Sequence, residues 1–187
     1  MEALINYFNK LSPLTDEAIE DLSIRMRSKS FKKGETINKE GQICRNIFFI
    51  NRGLVKHYYI NEGRKFIIRF FSENNVFTVL DSFIQQTPAV FTTIALEDTE
   101  TTQLNYDDIQ ELCKRHHCFE TIIRNIYGIA AIINLKRIKD IFDADATGLY
   151  KAFVKENDHL LQRISLGDIA SYLGISQVTL SRIRAKI

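Results

Sequence analysis

The chain of 187 residues is 45% hydrophobic and 26% charged, with a net charge of +2. Such a composition buries a core and excludes disorder, and the length allows one large domain or two modest ones. The charge is uneven. Residues 1–105 balance 13 basic against 13 acidic side chains, whereas residues 159–187 set Arg163, Arg182, Arg184 and Lys186 against Asp168 alone. A polyanion contact is therefore expected at the C-terminal end.

Residues 3–10 and 15–27 read as short amphipathic helices split by Ser12-Pro13. Thr15 is placed to cap the second, with Asp16 and Glu17 in its first turn. From Phe31 to about Asn105 the pattern changes to short β-rich runs punctuated by glycine. Asn51-Arg52-Gly53 and Asn61-Glu62-Gly63 are the expected hairpin turns. Many short strands at near-regular spacing predict a jelly-roll barrel. Helix returns over Tyr106 to Lys114 and again from about Cys118 to Phe142. The longer run is apolar on more than one face, so a second protein chain is expected to cover part of it. Its expected dimer residues are Ile122, Ile126, Ile129 and Ile133. Asp143 to Gly148 reads as a hinge, and Thr147 as the cap of a helix running to about Glu156.

The last stretch, ISLGDIASYLGISQVTLSRIRAKI, carries the most specific pattern. Ser165 with Asp168 forms an S-x-x-D box, Gly174 ends the first helix, and Ser176 caps a second. Ala170 is small enough for the two helices to cross closely. This is helix-turn-helix grammar, in which the second helix enters a DNA major groove; a capped helical hairpin of an all-α domain is the structural alternative. The expected DNA-facing residues are Ser165, Ser176, Gln177, Val178, Thr179, Ser181, Arg182 and Arg184.

Cys44, Cys113 and Cys118 are scattered without a C-x-x-C pair, so reduced thiols are expected and neither a zinc nor an iron–sulfur site is supported. His57, His116, His117 and His159 form no ligand spacing, and no metal is expected. The opening MEALINYFNKLSP lacks the pattern of a signal peptide, and no apolar run is expected to reach the length of a membrane span. A cytoplasmic location without membrane contact is the expectation.

This order of elements resembles the Crp/Fnr family of bacterial transcription regulators. The resemblance is carried by FKKGETI (Phe31–Ile37), Glu40-Gly41, IFFINRGLVKHYY (Ile47–Tyr59), FFSENNVF (Phe70–Phe77), ALEDTE (Ala95–Glu100) and Ile164–Arg184. It implies an α+β chain with three parts. These are a cyclic-nucleotide-binding-like jelly-roll sensor over 1–115, a dimerisation helix over 116–143, and a helix-turn-helix domain over 144–187. It further implies a homodimer that binds a palindromic DNA operator, with RNA polymerase as a further partner. An enzyme on a cupin-like barrel would need clustered metal-binding histidines in the strands, where only His57 occurs, so no enzymatic activity is expected. Ser176 matches the family's capping serine, Thr179 its phosphate-contacting threonine and Arg182 a base-reading arginine. Gln177 and Val178 depart from the arginine and glutamate of the best-known members, so a shifted operator is expected. Residues 157–164 show little hairpin character, so the family's wing is expected to be reduced or missing.

The sensor departs further. Alignment sets Thr78, Val79, Val90 and Phe91 where relatives hold the ligand's ribose and phosphate. No Lys, Arg or His occurs from Phe70 to Glu111. A buried phosphodiester needs cations or several aligned amides to offset its desolvation. No cofactor is therefore expected, cyclic AMP is not the expected ligand, and the effector is left open. A small-molecule-binding module with a vestigial helix-turn-helix is the alternative reading of the whole chain.

Overall fold

The structure, a computed structural model, describes residues 2–186. Two helices open it, α1 (Glu2–Leu11) and α2 (Asp16–Arg25). Thr15 caps α2 as expected, its Oγ1 accepting from the Ala18 N–H at 3.2 Å. Eight strands follow: β1 (Arg27–Phe31), β2 (Thr36–Asn38), β3 (Asn46–Arg52), β4 (Val55–Asn61), β5 (Arg64–Phe71), β6 (Val76–Phe77), β7 (Thr92–Ala95) and β8 (Thr99–Asn105). They form two four-stranded sheets, ordered β1-β8-β3-β6 and β2-β7-β4-β5, which is the expected jelly-roll arrangement. The pairings β1–β8, β3–β8, β3–β6 and β2–β7 are antiparallel.

The run NIFFINR of β3 shows why strand alternation was masked in the sequence. Phe48 and Ile50 pack with Phe31, Val55, Phe71 and Phe77 in one buried cluster. Ile47 and Phe49 pack from the other face with Leu4, Phe8, Leu22, Leu112 and Ile122 in another. A strand covered on both faces reads as a continuous apolar run.

Two local expectations change and one holds. Asn51-Arg52-Gly53 is no hairpin turn, because β3 and β4 lie in different sheets. Gly53 instead carries the chain across at φ 113°, so close to Thr99 that a Cβ there would stand 2.7 Å from its Cα. Asn61-Glu62-Gly63 does join neighbouring strands, with positive φ at both Glu62 and Gly63. A short helix, α3 (Leu80–Gln85), interrupts the strands where none was expected. Six residues without a side-chain cap at Val79 leave too little pattern to find it.

Helix α4 (Tyr106–Arg115) starts directly from β8, with Asn105 Oδ1 accepting from the Asp108 N–H at 2.8 Å. The long helix α5 runs His117–Asp143. By length and composition it is apolar enough to cross a bilayer, which corrects the expectation that no run reaches that length. Its early turns are nonetheless core: Phe119, Ile122 and Ile126 are buried against α1, α2 and α4. Helix α6 (Ala146–Asn157) follows after Ala144 and Asp145 only. Asp145, not Thr147, is its cap, its Oδ1 accepting from the Gly148 N–H at 2.8 Å. An aspartate one residue before the helix takes this place ahead of a threonine already inside it.

Residues 158–160 form a 3-10 turn, and no strand lies between 157 and 164. The chain closes with α7 (Leu166–Leu173) and α8 (Gln177–Arg184). It divides into two compact units. Among the described residues, one comprises 2–57 and 70–129, and the other 58–69 and 130–186.

Candidate functional site

The helix pair α7–α8 is built by its caps. Ser165 Oγ accepts from the Asp168 N–H at 3.1 Å, satisfying one of the donors left open at a helix start. Gly174 adopts φ 72° and sends its N–H back to the Ala170 carbonyl, which ends α7 within one residue. Ser176 Oγ then accepts from the Thr179 N–H at 3.0 Å and lies 2.9 Å from the Thr179 hydroxyl. Ile169, Ala170, Leu173, Leu180 and Ile183 are buried, which fixes the roll of both helices.

That roll sets the opposite face of α8 outward. Gln177, Val178, Ser181, Arg182 and Arg184 are exposed, as are the capping Ser165 and Ser176, while Thr179 is half-buried. Val178 is 60% exposed. The Gln177 amide lies over Gly167, where a Cβ would come within 2.6 Å of its Nε2.

The four expected sensor residues do not all converge. Val79 is buried with Cys44 and Ala89, and Phe91 packs on that cluster. Thr78 donates its hydroxyl to the Asn46 carbonyl at 2.9 Å and lies 3.3 Å from the Cys44 sulfur. Val90 turns away, 51% exposed. Beside Thr78 sits a feature the sequence hid, the buried His57. Its Nε2 is 3.1 Å from the Thr78 carbonyl and its Nδ1 is 2.7 Å from Thr93 Oγ1. A carbonyl only accepts, so Nε2 carries a proton, and in the neutral imidazole the Thr93 hydroxyl donates to Nδ1. Phe71 and Phe77 close edge-on around the ring. His57 is thus a hydrogen-bonded core residue.

His116 has a different role. It donates from Nε2 to Asp21 at 3.1 Å, within a group completed by Arg25 and Arg115. Burial pushes the Asp21 carboxyl up, but the His116 hydrogen bond and the two guanidinium charges outweigh it and hold the group below its ordinary value. Among the described residues, no group of three or more His, Cys, Asp or Glu side chains is arranged to hold a metal ion.

Helix α5 divides the four expected dimer residues between two surroundings. Ile122 and Ile126 are buried in the core of their own chain, Ile133 is half-buried against α6 and α7, and Ile129 is 40% exposed. Beyond Ile129, exposed apolar side chains continue along the helix through Ala131, Ile132, Leu135, Ile138, Ile141 and Phe142. Ile132, Leu135 and Phe142 are 68%, 66% and 83% exposed. Gly128, Ala131, Leu135, Ile138 and Phe142 recur at three- and four-residue steps, the a/d spacing of a two-helix seam. That spacing was present in the sequence. What obscured it was the abundance of isoleucine on the faces that the chain covers itself.

Comparison with known proteins agrees with this geometry. Residues 28–116 match the family model "Cyclic nucleotide-binding domain". The barrel is thus similar to domains of that class. Over the longer chain, solved structures of similar fold include one described as a transcriptional regulator of the Crp/Fnr family. FixK2 from Bradyrhizobium japonicum superposes with a TM-score of 0.72 at 20% identity, covering 86% of this chain and 83% of its own. A mutant of CooA from Carboxydothermus hydrogenoformans gives 0.72 at 16% identity, over 97% and 83%. A protein from Eubacterium rectale assigned to the Crp/Fnr family gives 0.74 at 16% identity, over 95% and 85%. At these identities the likeness is one of fold. No curated protein sequence matches the chain.

Proposed function

We propose that the chain is a Crp/Fnr-type regulator that binds DNA sequence-specifically as a homodimer. The observation that carries this reading is the capped pair α7–α8, which turns Gln177, Val178, Ser181 and Arg182 outward together at the basic end of an otherwise balanced chain. These side chains match what a major groove offers. Glutamine pairs with adenine, valine meets a thymine methyl, and arginine spans guanine O6 and N7. The exposed stripe of α5 supports pairing of two chains, and two such heads roughly 34 Å apart would meet a palindromic site. A cytoplasmic location and contact with RNA polymerase follow from the reading; catalysis plays no part in it.

The sensor is proposed to respond to something other than cyclic AMP. Supporting this, the segment from Phe70 to Glu111 contains no cation, and Val79 lies buried among apolar neighbours. A clear thermal shift with cyclic AMP would overturn this part alone.

The test of the main reading is selection of duplexes from a random library by the full chain, followed by gel shifts. A palindromic sequence should emerge, with affinity that falls steeply as salt rises because phosphate contacts release counterions. Arg182→Ala should cost about 1–3 kcal/mol and relax the preference at one base position. Unchanged affinity and selectivity would remove Arg182 from the reading edge, and failure to enrich any sequence would overturn the function.

A further inference from the structure

Beyond its apolar stripe, α5 carries a second working face. Ile133, Lys136, Arg137 and Asp140 line a narrow cleft with Leu149, Phe153 and Tyr172. Lys136 pairs there with Glu156 of α6. Arg137 does more. Its Nη2 donates to the Tyr172 carbonyl at 2.6 Å, and its guanidinium lies 4.0 Å from the centroid of the Tyr172 ring. The same ring packs on Phe153 of α6 at 5.1 Å.

Each contact has a physical reason. The last carbonyls of α7 lack partners inside the helix, so a donor from outside satisfies one of them. A cation at that end also meets the negative end of the helix dipole. A guanidinium over a tyrosine face adds a cation–π attraction, strengthened by partial burial. All three converge on the final turn of α7, immediately before the Gly174 turn that launches α8.

On the DNA-binding reading, we infer that Arg137 is the positioning residue that fixes the roll and direction of α8 relative to the α5 seam. It thereby sets the half-site spacing that the dimer accepts. Arg137 touches no DNA in this role. Successive residues of α5 turn by about 100°, so Leu135 on the seam and Arg137 on the head-bearing face point nearly opposite ways from one rigid rod. Pairing of two rods through one face then dictates where the other faces hold the reading helices.

The experiment uses the full chain and the duplex it selects. That duplex is remade with the two half-sites moved apart or together by one and two base pairs, and once with a single half-site. The parent should prefer its selected spacing at least about tenfold. Arg137→Ala and Tyr172→Leu should flatten that preference to about twofold or less while leaving affinity for the single half-site within about twofold. Tyr172→Phe keeps the ring and should retain the parent profile. Arg64→Ala is the control: Arg64 also donates to α7's end, at the Gly174 carbonyl (2.8 Å), but from β5 rather than α5. It should leave the spacing profile intact.

Should Arg137→Ala fail to fold, Arg137→Lys decides. It keeps the charge but loses the planar stack and fork, so its preference should weaken. A parent-like profile in a folded Arg137 variant overturns the positioning role, as does a parent indifferent to spacing. A parent that selects no duplex at all instead overturns the DNA reading on which the role rests.

Discussion

Replacing Leu135 by alanine separates the stripe from the core on the same helix. Leu135 is 66% exposed in the single chain. Each carbon buried is worth about 0.8 kcal/mol, and the substitution removes three of them. Two-thirds of that, about 1.6 kcal/mol, is still to be gained when a partner covers the site. A dimer contains the residue twice, so the loss is about 3 kcal/mol, on the order of a hundredfold in the dimer dissociation constant. The stability of the isolated chain should change by less than about 0.5 kcal/mol, as for other surface substitutions. Ile122→Ala supplies the contrast. Ile122 is fully buried in its own chain, so its truncation should lower unfolding stability by about 2–5 kcal/mol without acting on the seam. Sedimentation velocity over a concentration series reads the first quantity, and denaturant unfolding of the monomeric fraction the second. A dissociation constant within about threefold of the parent in Leu135→Ala would refute the seam. So would a parent that stays monomeric throughout.

Three further outcomes are expected. Gly53→Ala must tolerate φ 113° and a Cβ 2.7 Å from the Thr99 Cα, which should cost about 2–4 kcal/mol and appear as a large drop in Tm; an unchanged Tm would show that the β3–β4 crossing relaxes freely. Ser176→Ala removes the α8 cap and should cost about 1 kcal/mol in denaturant unfolding. No loss there would mean that Thr179 or solvent serves that helix start equally well. The Asp21 carboxyl is held below its ordinary value of 3.8 by the folded state, so its contribution is present above the unfolded pKa and is lost as pH falls through the lowered folded one. Asp21→Asn should therefore be less stable than the parent near neutrality, with the gap closing in acid. A gap independent of pH would refute that assignment.

The C-terminal helix pair was legible residue by residue, because caps and glycine turns are local chemistry. Ser165, Gly174 and Ser176 act where a reader of the sequence puts them. The barrel was legible as a class, but its connections were less so. The turn at Gly53 looks like a hairpin in sequence, and only the pairing of distant strands reveals a crossing between sheets. Helix α5 was legible as a long helix apolar on more than one face, yet which face the chain itself covers depended on contacts from α1 and α2 more than 90 residues away in sequence. His57 looked like a lone strand histidine because its partners, Thr78 and Thr93, come from other elements. Arg137 and Tyr172 gave no signal at all. Their meeting depends on how three helices fold back on one another.

The boundary between the two compact units falls between Ile129 and Ala130, inside α5 rather than in a loop. A helix has a phase, and a loop does not. Inserting a single residue at that boundary would turn the rest of the helix's exposed stripe by about 100°, whereas seven residues complete nearly two turns and fall only about 20° short. On the dimer reading, a seven-residue insertion would keep the register of the exposed α5 stripe, and a single residue would break it.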